Sequence, residues 1–288
     1  MKAEVILCLL LAAVGQGTAV AGVSSQDTTD KSASAQEEKS KDTGADRRVE
    51  FQEFKQAAAR YRIVTESDPP KTTMLAPEPI LHWTNPLRRT SNGAVFIWVA
   101  DGRPEAVASF YRYAYEGRTI EDHEFQSLMT TTGLTATRDG QKVWAAPTGG
   151  ISLATIPGAP RPAAAPGERL RQMRDLAREF HAFLDMPDDR SELRLLPKPL
   201  YRYEANRPDL LDGALFAFVV TTDPEVLLMI EARPGAADWA WHYGFARMSM
   251  VNLKAQHKDQ RVWSADWVYD LEGPNKPYVT LRAPGRSN

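Results

Sequence analysis

The chain has 288 residues, 43% of them hydrophobic and 25% charged, with a formal net charge of −2. That length and mixture suit one large globular domain or two small ones, and the near-balanced charge excludes an overall electrostatic case for nucleic acid or an anionic membrane. A single cysteine, Cys8, excludes an intrachain disulfide and a thiolate metal centre.

Residues 1–21 read as an export signal. Lys2 supplies a thin positive start, Val5–Val14 is an apolar core too short to span a bilayer, and Ala19-Val20-Ala21 offers small residues for cleavage. Cleavage there removes Cys8 and leaves a mature chain with no transmembrane segment, destined for the periplasm or the extracellular space. Residues 22–47 mix Ser, Thr, Asp, Glu and Lys without an aromatic residue, which predicts a disordered linker.

Beyond the linker the chain contains the same series of signals twice. Phe51, Phe54, Ala58 and Tyr61 recur at helical spacing, and Leu170, Met173, Ala177 and Phe180 repeat them within a predicted helix over Glu168–Met186. Arg171, Arg174 and Arg178 line another face of that helix, and a solvated face is the plainer reading than an anion site. Leu75–Ile80 (LAPEPI) and Leu195–Leu200 (LLPKPL) then lead into edge strands, because proline lacks a ladder donor. Gly93–Arg112 and Gly213–Ala232 are apolar hairpins 120 positions apart, matching at Gly, Ala, Phe, Val, Pro and Glu. Their runs Ala94–Ala100 and Ala214–Val220 lack polar alternation, which predicts strands covered on both faces. Leu134–Trp144 parallels Leu253–Trp263, with Asp139-Gly140 as a hairpin turn. Ile151–Ile156 and Tyr278–Arg282 supply a last strand each.

These signals place one repeat at 48–160, a Pro/Ala linker at 161–167 and a second repeat at 168–288. The expected class is α+β, a tandem duplication with one helix and about five or six antiparallel strands per copy, packed as one pseudo-twofold body. The strings GAVFIWVADGRPEAVASFYRY, HEFQSL, RLRQMRDLAREF, LRLLPKPLYRY and LDGALFAFVVTTDPEVLL, spread over Ile80–Trp263, resemble a family of exported bacterial proteins with no established activity. The resemblance implies export and a two-part body, and no catalytic residue or ligand.

Site signatures are sparse. There is no HExxH, Walker loop, GxGxxG, GxSxG or EF-hand loop. His123 and His242 align as equivalents, with Asp122 or Glu124 as neighbouring carboxylates, and so form the candidate catalytic set His123, Glu124, His242. Met129 and Met248 follow six positions on, which puts both rings on a core face and favours satisfied core histidines. Glu105 and Glu225 are identical polar partners, read as turn-capping carboxylates ahead of paired acid/base groups. Where the first copy carries Asp122, Glu124 and Gln126, the second carries Trp241, Tyr243 and Phe245, with Trp239 ahead of them. These four aromatic residues are the candidate binding strip, unless Ser264–Pro277, with Trp267 and Tyr269, covers it. Neither cofactor nor metal is expected. The reading is an exported non-enzymatic protein that binds a partner protein or envelope component. The alternatives are an envelope hydrolase using His123 and His242, or a carrier of a small apolar ligand between the two sheets.

Overall fold

In the computed structural model the described residues are 46–186, 189–204, 207–236, 238–268, 273 and 275–283. The signal at 1–21 and all but the end of the linker at 22–47 lie outside them. Helix α1 covers residues 46–59. It is followed by β1 (Tyr61–Thr65), β2 (Met74–Leu75), β3 (Leu81–Asn85), β4 (Thr90–Ala100) and β5 (Arg103–Tyr115). Then come β6 (Arg118–Ser127), β7 (Leu134–Arg138), β8 (Gln141–Ala146) and β9 (Ala154–Thr155). Helix α2 (Pro166–Ala177) opens the second half, with β10 (Phe180–Met186), β11 (Asp189–Leu195), β12 (Tyr201–Tyr203) and β13 (Asp212–Val220) after it. It closes on β14 (Asp223–Pro234), β15 (Trp239–Arg247), β16 (Leu253–His257), β17 (Gln260–Ala265) and β18 (Tyr278–Arg282).

The expected α+β class, with one helix and five or six strands per copy in a pseudo-twofold body, is therefore corrected. The chain is mostly β, 55% strand and 13% helix, in three antiparallel sheets, one of them a half-barrel. Part of the difference lies in the helix expected over Glu168–Met186, which stops at Ala177 and gives way to β10. From Phe180 burial alternates, with Phe180 and Ala182 inside and His181 exposed, so a period of two takes over. β10 is then paired on both sides, by β11 and β16. Pro166 at the first turn suits the start of α2, because its missing N–H is unpaired there anyway.

The sheet orders are β1-β7-β8, then β18-β6-β5-β4-β2 with β3 on β4, and β17-β16-β10-β11-β13-β14-β15-β9 with β12 on β13. Three apolar layers hold them. Phe54 and Ala58 of α1 pack on Phe96, Trp98, Phe110 and Phe125, while Met173 and Leu176 of α2 pack on Phe216, Phe218, Trp241 and Phe245. Between the sheets, Val95, Ile97 and Val107 meet Leu215, Ala217, Leu227 and Met229. The continuous apolar runs of β4 and β13 are thus buried on both faces, one toward a helix and one toward the other sheet.

Local geometry repeats as well. The β4–β5 ladder shifts register between Trp98 and Val99, and β13–β14 between Phe218 and Val219. Gly93 lies under the Trp83 indole and Gly213 under the Tyr203 ring, where an added Cβ would fall within the ring's van der Waals surface. The closing strands are exchanged. β9, from the first half, pairs with β15 of the second, and β18, from the second, pairs with β6 of the first.

Candidate functional site

His123 sits on β6 and is 2% exposed. Its Nε2 lies 2.9 Å from Glu121 Oε1, its Nδ1 lies 2.7 Å from the Tyr61 hydroxyl, and its ring stacks on Phe110 at 3.9 Å. Burial alone would raise the Glu121 carboxyl, but hydrogen bonds from His123 and Arg112 hold it down at about 2. Glu121 is then an acceptor only, so Nε2 donates to it and Nδ1 accepts from the Tyr61 hydroxyl. Burial also pushes His123 below the usual imidazole range, against the pull of Glu121. The ring is neutral with both nitrogens occupied. Arg138 Nη1 donates to Tyr61 at 3.1 Å and completes the line.

His242 is half-buried on β15 and far simpler. Its Nε2 faces Thr155 Oγ1 at 3.2 Å and its Nδ1 faces the Ala240 carbonyl at 3.2 Å. It shares no partner with His123, so the fold does not bring the two together. Nor are they equivalent. His123 pairs across the ladder with Phe110, and it is Tyr243 that pairs with Ile230 at the matching place. The alignment of the two histidines is thus one residue out of register, and in a strand one residue changes the face.

The same slip accounts for the aromatic strip. Trp241 and Phe245 point toward α2, where they are 1% and 2% exposed, and Trp239 and Tyr243 are half-buried. Phe180 meets Tyr243 at 4.9 Å and Phe245 at 5.6 Å, and Trp263 stacks on Phe245 at 5.5 Å. An exposed strip does not form. The cover is α2 and its flanking strands, with Trp267 packed alongside; Tyr269 lies outside the described residues.

Asp122, Glu124 and Gln126 are not on an outer face either. They are buried on the side toward the second half, and β18 closes over them. Tyr278 of β18 hydrogen-bonds Glu124, and Arg282 Nε donates to Asp122 Oδ1 at 2.5 Å. Burial pushes the Glu124 carboxyl well above the usual range, against the Tyr278 hydrogen bond.

Two polar clusters sit between the halves, and the sequence reading missed their centres. In one, Arg103 is 1% exposed. Its Nε donates to Glu231 Oε1 at 2.7 Å, and its Nη1 donates to Glu105 Oε2 at 2.6 Å and to the Leu128 carbonyl at 2.9 Å. Tyr203 and Arg233 also bond Glu231, at 2.7 and 2.6 Å, and Arg207 reaches Glu105 Oε1 at 3.1 Å. In the other, Asp223 stands where Arg103 stands, each in the last pair of its hairpin ladder, Arg103 opposite Ala100 and Asp223 opposite Val220. Asn85 Nδ2 donates to Asp223 Oδ2 at 2.8 Å, and Arg88 Nη1 lies 2.7 Å from Glu225 Oε1 and 3.5 Å from Asp223 Oδ2. Thr84 binds the adjoining turn, its N–H to Thr222 Oγ1 at 2.8 Å and its carbonyl to Thr221 Oγ1 at 2.7 Å.

Burial raises the Asp223 carboxyl to about 8, with Glu225 adding to the effect. One cluster is thus charge-matched by arginines, and the other holds more acid than base. The signal for both was the residue before the shared turn proline, Arg103 in GRPE and Asp223 in TDPE. Glu105 and Glu225 belong one to each cluster and do not pair with each other.

Among the described residues, no group of three or more His, Cys, Asp or Glu is placed to hold a metal ion. None of their helices is long and apolar enough to cross a membrane. No family model matches the chain, and no curated protein or solved structure shows significant similarity to it.

Proposed function

We propose that the chain is an exported, non-enzymatic protein that binds a partner protein or an envelope component. The observation that carries this reading is the closure of its acid and base groups. His123 is spent on Tyr61 and Glu121, Glu105 and Glu231 are spent on Arg103, Arg207 and Arg233, and the acid-rich pair Asp223 and Glu225 is buried beside Arg88. A hydrolase needs a base within reach of a substrate proton. His242 is the more open of the two histidines, and its partners are a hydroxyl and a backbone carbonyl, not a carboxylate. The carrier reading loses its proposed space, since Val95, Ile97, Leu215, Ala217 and Met229 fill the region between the sheets. The short apolar core of residues 5–14 and the Ala19-Val20-Ala21 motif support export.

The test is complementation of a bacterium that lacks the gene. Folded His123→Gln and His242→Gln variants are expected to restore the wild-type phenotype, and in-cell cross-linking to recover one envelope component at constant ratio. Loss of function in both variants at normal abundance would favour the hydrolase reading instead.

A further inference from the structure

The two ends of the seam between the halves are held by different chemistry. At one end three guanidiniums, Arg103, Arg207 and Arg233, meet three carboxylates, Glu105, Glu231 and Asp209. At the other, the contact runs between short stretches of backbone. Thr84 lies at the register shift of β3 on β4, and its N–H crosses the seam to Thr222 Oγ1 at 2.8 Å. Its carbonyl accepts from Thr221 Oγ1 at 2.7 Å and from Thr222 Oγ1 at 3.0 Å. The next residue on each side, Asn85 and Asp223, is joined by the 2.8 Å bond from Nδ2 to Oδ2. If Asp223 moves out to water, the turn beside it leaves Thr84.

Charge is not balanced at this second end. Asp223 and Glu225 of β14 are buried, and Arg88 of the short 3-10 turn Pro86–Arg88 lies 3.5 Å from the first and 2.7 Å from the second. Behind them β6 contributes Glu124, also buried, which Asp223 and Glu225 both repel. The other groups facing the cluster offer little relief. Arg247 of β15 gives Nε, Nη1 and Nη2 to the carbonyls of Ser249, Asp266 and Val251. Tyr278 of β18 and Tyr111 of β5 are phenols that burial keeps neutral, and Asp122 is paired with Arg282. Burial accordingly pushes the Glu124 and Asp223 carboxyls up, the latter to about 8. The closed seam therefore keeps a proton that the open one, with Asp223 in water, releases.

We propose that the contact of Thr84 and Asn85 with the Thr221–Asp223 turn is a pH-released latch, which opens one end of the seam as pH rises toward neutrality while the Arg103 end stays shut. The proposal goes beyond the partner-binding reading and does not rest on it. Hydrogen exchange by NMR on the full mature chain tests it, because each end carries its own cross-seam reporter. The Thr84 amide reports the latch, and the Arg103 Nε–H, bonded to Glu231 Oε1 at 2.7 Å, reports the other end. Protection is taken relative to the intrinsic exchange rate at each pH. Release of one proton on opening should lower Thr84 protection about tenfold between about pH 6 and about pH 7, with levelling past about 8. Arg103 protection should hold over the same range. Asp223→Asn keeps an oxygen for Asn85 and has no proton to release, so its Thr84 protection should not change with pH. Constant Thr84 protection in wild type, a parallel loss at Arg103, or the full wild-type slope in D223N would each overturn the proposal. The two reporters in wild type keep the test decisive even where D223N disturbs folding.

Discussion

Asp223→Asn probes the acid-rich cluster between the sheets. Burial pushes this carboxyl up to about 8, with Glu225 adding to the effect and Arg88 and Asn85 opposing it. In the unfolded chain an aspartate titrates near about 3.9. Between those two values the folded state holds a proton that the unfolded state has released. Stability is therefore fully present below the unfolded value, falls as pH rises, and levels off once pH passes about 8. The slope is about 1.4 kcal/mol per pH unit. Going from about pH 5 to about pH 7 thus removes about 2–3 kcal/mol through this one group. An amide side chain keeps an oxygen for Asn85 Nδ2 and has no proton to lose. Urea unfolding of D223N and wild type across that range should show the variant gaining about 2–3 kcal/mol relative to wild type as pH rises. A difference that does not change with pH refutes the protonated carboxyl and the placement of the cluster in a dry interface.

Arg103→Met leaves Glu105 and Glu231 short of their shared guanidinium, and unfolding should become easier by about 3–5 kcal/mol; adding Glu231→Gln should recover part of that in a double-mutant cycle. Trp144 is 0% exposed and donates to the Lys276 carbonyl at 2.7 Å, so Trp144→Ala should cost about 3–5 kcal/mol. Trp263 is only half-buried, so Trp263→Ala should lower the thermal midpoint less, and equal midpoints would contradict the difference in burial. Gly93→Ala drives a methyl into the Trp83 ring and should cost about 1–3 kcal/mol in chemical unfolding.

The doubled phrase around Gly93 and Gly213 carried much of the architecture in plain view. Identical spacing of Gly, Phe, Val, Pro and Glu marks two hairpins with the same bulge and the same glycine beneath a cross-strand aromatic ring. The site was less legible, and the reason is one residue. The halves stay in step through Leu128 and Met248, whose N–H groups bond the carbonyls of Glu105 and Glu225, and lose one position only before Leu134 and Leu253. Aligning His123 with His242 applies the shorter spacing one strand too early. Period-two structure turns so small an error into an inversion: core faces read as surface, and surface as core. Charge added a second obstacle. A buried arginine such as Arg103 reads as a surface residue until its two carboxylates, 2 and 128 positions away along the chain, are seen to converge on it. Propensity added a third, since Phe180–Met186 continues a helical spacing and only tertiary pairing with β11 and β16 makes it a strand.

The crossing of β9 and β18 has a consequence for synthesis. A ribosome releases the first half with the outer edge of β6 bare, because the strand that closes that edge is encoded among the final residues of the described chain. Until β18 emerges, Asp122 and Glu124 face water and a row of open amides and carbonyls, the kind of edge that recruits other chains. A premature stop ahead of Tyr278 would leave the second half's own strands β10–β17 intact and injure the first, more than 150 positions upstream of the lesion.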